Sequence, residues 1–493
     1  MILRTLSLTL LSTLLAAFSG CASDNPGITP STARFYFPTG LALDPTPTRH
    51  LLYVSNSNAD LRYNGGTLML LDLSKLPTDL DKVSDAVQAG TLDCQPDRID
   101  PSRWECEERP FIRANTTLRI GDFPGEVRTS ADGTRVFVAA RGRTEVVWAD
   151  VVPSGDSARL QCNDSPEPTC SPDADNCAVV DCDLDHVINY SPLLEDTLPS
   201  EPFGIRYHAL QAVHIDTDGR RRTCTDGVST VPCDCGSTPE CDETLTVGCC
   251  EPRPDVDHVY LAHLSGGEVS LLLSSDAGVE LVHYQGGFFN SRGGIRGGFA
   301  IAPSVPGDAR SPIFVSSRVD SALASFVVEA ERIVRVRRVG LGALSPGDDV
   351  RGIAFGPGGN VIYAIDRAPS TLVAVKLRDD DGQPINEPLW TTEVCAEPSI
   401  LKLAKDPEDA QTMLAYVVCF ADKVIFVIDT ETGAVRGRIL TGDGPNGFEI
   451  DAANKRAFVA NFAEQTVGVI DLDPTHASYR RMVLRIGKVE LVE

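Results

Sequence analysis

Seven times along this chain an aromatic residue lies in a β-rich run, and an apolar triplet follows it at fixed offsets. The aromatics are Tyr53, Phe137, Tyr260, Phe314, Tyr363, Tyr416 and Phe458. Nine, eleven and twelve residues after the aromatic stand Val146, Trp148 and Ala149 in the second copy, then Val269, Leu271 and Leu272 in the third. The same offsets reach Leu323, Ser325 and Phe326, then Leu372, Ala374 and Val375, then Ile425, Val427 and Ile428, and finally Val467, Val469 and Ile470. The first copy runs six residues longer, through an Asn/Gly-rich loop to Leu68, Leu70 and Leu71. A fixed offset between two strands means a fixed hairpin, so one supersecondary unit is used seven times.

Upstream of each aromatic a turn opens a further strand, as at Pro38-Thr39-Gly40, Pro124-Gly125-Glu126, Pro202-Phe203-Gly204 and Pro445-Asn446-Gly447. The residues after it alternate large and small, as in Leu41-Ala42-Leu43 and Ile353-Ala354-Phe355, which suits a strand packed on both faces. A fourth strand precedes most of these turns, as at Ile333 to Val339 and Met482 to Ile486. Four short antiparallel strands in a unit of 42 residues at the tightest spacing, Tyr416 to Phe458, describe a propeller blade. The expected fold is all-β, a seven-bladed β-propeller of four-stranded antiparallel blades with loop insertions. Seven blades close a ring and leave no sheet edge open. Arg34 to Phe37 and Met482 to Ile486 both qualify as the strand that completes the last blade.

The segment Arg456 to Pro474, RAFVANFAEQTVGVIDLDP, behind Pro445-Asn446-Gly447, resembles the repeat of YVTN-type seven-bladed β-propellers, and His50 to Asn58, HLLYVSNSN, is a looser copy. The resemblance spans roughly residues 36 to 487 and is weakest in the fourth blade. It implies fold far more than function, because such propellers serve as binding modules, surface-layer proteins and, in relatives, lactone-hydrolysing or quinone-dependent enzymes.

Arg4 followed by an apolar stretch from Leu6 to Phe18 and then by Ser19-Gly20-Cys21 resembles a bacterial lipoprotein signal, cut before Cys21. That reading assigns 1–20 to a signal peptide, 21–35 to a tether and 36–490 to the propeller, with insertions at about 84–116, 153–200 and 207–256. Acyl chains on Cys21 would anchor the protein to membrane at about 0.8 kcal/mol per buried CH2. Ala22 resembles signals that permit sorting to an outer membrane, with the periplasmic or surface face left open. The alternative is a secretory peptide cleaved near Ala22.

Beyond Cys21 the cysteines fall in even groups: Cys94 and Cys106; Cys162, Cys170, Cys177 and Cys182; Cys224, Cys233, Cys235, Cys241, Cys249 and Cys250; Cys395 and Cys419. Such parity suits locally closed disulfides in an oxidising envelope. Cys395 is expected to start the inner strand of the sixth blade and Cys419 to end the next, within bonding range. The other twelve lie in insertions of low apolar content, which are expected to depend on cross-links because they cannot build a core. Zinc is the competing reading, through Cys233, Cys235, Cys249 and Cys250 with His208, His214, His258 and His263 in the same blade. No CxxC pair supports it, so no metal is expected and the histidines read as solvated loop residues. The acidic run Ser171 to Asp185 lacks the glycine and terminal Glu of a calcium-binding loop.

With 44 Lys and Arg against 69 Asp and Glu, the net charge of −25 disfavours nucleic acid, which needs clustered cations. Against that background, Arg128 and Arg206, two positions after the turns of adjacent blades, and Arg296 and Arg351, within turns, stand out. Inner strands line the channel, so these four are candidates to converge on an anion at one mouth; the alternative is pairing with Glu126, Asp349 or other carboxylates. Asp72, Asp150, Asp429 and Asp471 end outer hairpin strands and read as turn caps. No G-x-S-x-G elbow, H-E-x-x-H or phosphate-binding glycine loop is present, and no catalytic residue or cofactor is assigned. The expected function is a lipid-anchored envelope propeller that binds a protein or glycan partner. The alternative is a lactonase-like propeller hydrolase with its site at the channel mouth.

Overall fold

The computed structural model describes residues 27–98, 100–154, 157–165, 177–210, 213–215, 221–223, 250–251, 256–289, 297–320, 322–341 and 349–488. Among them the repeat unit is a four-stranded antiparallel blade, seen plainly in blade 6: Pro398–Lys405, Met413–Cys419, Val424–Asp429 and Val435–Leu440, hydrogen-bonded in that order. Seven such sheets follow one another along the chain, with inner strands Pro38–Leu43, Pro124–Thr129, Pro202–His208, Gly298–Pro303, Val350–Phe355, Pro398–Lys405 and Pro445–Asp451. Each inner strand packs against the inner strands of the two neighbouring blades, so the seven surround a central channel. This close approach explains the glycine in the opening turns. At Gly125 and Gly204 a Cβ would collide with a carbonyl of the next blade's inner strand, that of Phe203 and of Phe299 respectively.

The repeated aromatics are the reason the blades stack. All seven are buried, from 0% exposed at Tyr53, Phe137, Tyr260 and Phe458 to 6% at Phe314 and Tyr363. Among the described residues the apolar core divides into seven clusters, each built by one blade and the next, and each contains one of these rings. Tyr416, for instance, lies with Val418, Ala457, Val459 and Ile470, between blades 6 and 7. Phe458 lies with Val54, Met69 and Leu71, between blade 7 and blade 1, so the apolar contact runs without a break around the ring.

Among the described residues, ring closure uses no exchanged strand. Blade 7 is completed by Arg481–Ile486, which pairs with Thr466–Asp471, and blade 1 starts with its own inner strand. The first insertion fastens the seam instead. Its strand Trp104–Cys106 runs parallel to the outermost strand of blade 7, pairing Trp104 with Leu484 and Cys106 with Ile486, while Cys94–Pro96 folds back on it. Leu80, Val83, Leu92, Phe111 and Ile112 are buried in the same seam cluster. The insertion builds no core of its own: Leu92, Phe111 and Ile112 face blades 1 and 7 and complete a core that those blades begin. Asp97, 3% exposed, meets the Arg485 guanidinium at 2.7 Å, adding a buried ion pair to the clasp.

Disulfides join Cys94 to Cys106, Cys162 to Cys182 and Cys395 to Cys419, and Cys177 is also disulfide-bonded. Cys395 lies three residues before the inner strand, which begins at Pro398 opposite Cys419, so the bond ties the approach to the blade and not the strand itself. In blade 2 the outermost place is shared by Ser157–Gln161, hairpinned back on the long third strand Glu145–Ser154, and by Val187–Ile188.

Two other expectations change. Asp72, Asp429 and Asp471 accept backbone N–H groups of the turns that follow them, as capping requires. Asp150 instead faces Arg135 at 3.3 Å and His186 at 3.8 Å, since its strand continues to Ser154 and leaves no turn to cap. The blade 3 histidines are not solvated: His208, His258 and His263 are 2%, 6% and 0% exposed. The blade's inner strand runs on to His208 and its second strand starts at Asp257, so Tyr207 and His208, read as insertion, belong to the sheet.

Candidate binding site in the central channel

Register places one side chain per blade at the same height. The residue four positions into the inner strand pairs with the repeated aromatic, giving Ala42 opposite Tyr53, Arg128 opposite Phe137, Arg206 opposite Tyr260, Ala302 opposite Phe314, Ala354 opposite Tyr363, Lys402 opposite Tyr416 and Glu449 opposite Phe458. Four of the seven are charged. Glu126, two residues before Arg128 on the same strand, adds a fifth.

The charges interlock across blades. Arg128 Nη2 lies 3.0 Å from Glu126 and its Nη1 3.7 Å from Glu449. Lys402 Nζ donates to Glu449 Oε1 at 2.5 Å. Glu126 also accepts the Ile205 N–H at 3.2 Å, which ties blade 2 to blade 3. Burial lowers the Lys402 pKa against the pull of Glu449. Arg206 is brought down to about 10, chiefly by burial and then by the neighbouring Arg128, and so remains a cation at neutral pH. It makes no hydrogen bond or ion pair among the described residues.

Beyond this layer, at the mouth where inner strands end, a cavity of about 250 Å³ opens between blades 2, 3 and 4. Arg206, Tyr207 and His208 form one wall, with Thr129 and Ser130 on a second and Pro303 and Pro306 on a third. The Tyr207 hydroxyl donates to Asp257 Oδ2 at 2.6 Å, fixing that ring. His208 Nε2 accepts the Gly307 N–H at 2.9 Å, so the proton of the neutral ring is on Nδ1, which is buried near the Val305 carbonyl without a well-formed hydrogen bond. Burial drives the His208 pKa down to about 3, helped by His258 and Arg206, and that of His258 to about 4.

Arg128 and Arg206 thus meet in one layer. Arg351 does not join them: it sits near the opposite mouth, paired with Asp349 at 2.6 Å and stacked over Phe299 at 4.7 Å from the ring centre. Arg296 lies outside the described residues, as do Cys21, Cys233, Cys235 and Cys249. Lys402 and Glu449 escaped the reading of the sequence, although each occupies the rung opposite a repeat aromatic, the register that would have found them. Among the described residues one cluster has metal-ligand chemistry, Asp81, Asp471 and His476 on the rim. His476 is bonded to Asp471 at 2.9 Å and Asp79 at 3.3 Å, and it serves there as a contact between the first insertion and blade 7.

No family model matches the chain, and no curated protein matches it in sequence. Solved structures of similar shape include the Kuenenia stuttgartiensis hydrazine synthase, at 10% identity, covering 93% of this chain and 100% of that one with a TM-score of 0.47. The Pseudomonas aeruginosa periplasmic gluconolactonase PpgL shows 13% identity over 77% of this chain and 90% of that one, TM-score 0.47. Sqt1 from Chaetomium thermophilum shows 14% identity over 92% and 87%, TM-score 0.47. Their unlike chemistries do not transfer at such distances. What the blades, their order and their seven interfaces establish is the architecture: the chain is a seven-bladed β-propeller.

Proposed function

We propose that the protein is a lipid-anchored β-propeller of the YVTN type on the bacterial envelope, acting as a non-catalytic module that presents disulfide-stapled loops to a protein or glycan partner. The observation that carries this reading is the ion-paired channel. Where a propeller enzyme assembles its catalytic groups, Arg128, Lys402, Glu126 and Glu449 are spent on tying blades 2, 6 and 7 together. A hydrolytic base should also titrate near working pH, whereas His208 and His258 are held at about 3 and 4. The Cys162–Cys182 bond holds the two ends of one such loop on blade 2.

The test is affinity capture from envelope extracts with the full chain and with a chain whose residues 164–176 are replaced by a short Gly/Ser linker, which leaves the staple in place. A partner held by the first and lost from the second supports the proposal. Lactone hydrolysis by the purified protein would overturn it.

A further inference from the structure

The channel layer carries three cations, Arg128, Arg206 and Lys402, against two carboxylates, Glu126 and Glu449. Arg128 and Lys402 each contact a carboxylate; Arg206 contacts none among the described residues. A half-buried cation that Glu126 and Glu449 attract only from beyond contact distance keeps unused hydrogen-bonding capacity, so its place beside a cavity suits a mobile anion. The cavity supplies the room, and Arg206 forms part of its wall.

We propose that this cavity is a binding site for a small carboxylic acid with an apolar body, its carboxylate on the Arg206 guanidinium and its body against Pro303, Pro306 and the Tyr207 ring. The site is separate from the loop surface assigned above to a partner. Charge selects the ligand. A monoanion balances the excess of one positive charge, whereas a doubly charged phosphate would leave the layer negative beside Glu126 and Glu449. A single planar guanidinium also matches the fork of one carboxylate. Size limits it further, since about 250 Å³ is below the roughly 300–1,000 Å³ of drug-sized sites.

Titration calorimetry on the full chain with benzoate, hexanoate, phosphate, chloride and the neutral benzyl alcohol tests this. Benzoate or hexanoate should bind saturably, and benzyl alcohol at least tenfold more weakly. Arg206→Met should weaken the carboxylate at least tenfold, with Arg206→Lys between the two. Ala209→Phe narrows the cavity while retaining the charge, and should abolish binding even if Arg206→Met fails to fold. The proposal is overturned if neither carboxylate binds the wild type, if chloride or phosphate binds as tightly, or if Ala209→Phe binds like the wild type.

Discussion

Blade 3 buries three imidazoles in their neutral form, and acid must charge them before or as the fold opens. His208 titrates at about 3, His258 at about 4 and His263 at about 4, each lowered mainly by burial from 6.5. Protons therefore bind the unfolded chain near pH 6.5 and the native one only about 2.5 to 3.5 pH units lower, so stability falls as pH drops below about 6.5. Lowering the pH from 7 to 5 should remove about 2 kcal/mol for each histidine, or about 6 kcal/mol in all, at 1.36 kcal/mol per pH unit. His186 and His476, raised by nearby aspartates despite burial, gain stability over the same range, but both reach solvent and their screened contribution is smaller. The assay is urea unfolding at pH 7 and pH 5 of the oxidised wild type and of His208→Gln, His258→Gln and His263→Gln. Whatever each variant costs at pH 7, its further loss at pH 5 should be smaller than that of the wild type by about 2 kcal/mol. A wild type equally stable at both pH values, or variants that lose as much as it does, would refute the reasoning.

Three further outcomes are expected. Phe458→Ala, which empties part of the seam between blades 7 and 1, should cost about 3–5 kcal/mol in chemical unfolding, and a loss below about 1 kcal/mol would contradict a buried blade interface there. Opening the Cys395–Cys419 bond, whose cysteines are 24 residues apart, should remove about 3 kcal/mol on the chain-entropy model. Peptide mapping should find the two joined, while a chelator leaves the melting temperature unchanged. If Cys21 carries lipid, the wild type partitions with membranes and Cys21→Ser is released or left unprocessed; a soluble wild type with a free amino terminus contradicts the anchor.

The blade count was legible because the aromatic and its triplet answer to a local rule, a hairpin of fixed length with one face turned to the next blade. The clasp was not, since Trp104–Cys106 pairs with a strand at the far end of the chain and nothing near it names that partner. The same distinction divides the channel. Arg128 and Arg206 were visible as charges in the inner strands, but the pairing of Arg128 with Glu449 depends on closure of the ring, which brings blade 7 round to blade 2's side. The histidines were misplaced for a simpler reason. The third insertion interrupts blade 3 between His208 and Asp257, and its polar composition masked the strand ends on either side.

The seam also sets an order of events as the chain is made. Synthesis from the amino terminus delivers the clasp hairpin soon after blade 1, whereas the strand it must lie against, Arg481–Ile486, arrives last. Until then Trp104–Cys106 has an unpaired edge and the apolar faces of blades 1 and 7 have no lid, which is the kind of surface that invites pairing between copies. Truncation anywhere before residue 486 therefore leaves two sticky ends rather than a slightly smaller ring, and a chain stopped in blade 7 should yield aggregates or chaperone-held species in place of a soluble six-bladed intermediate.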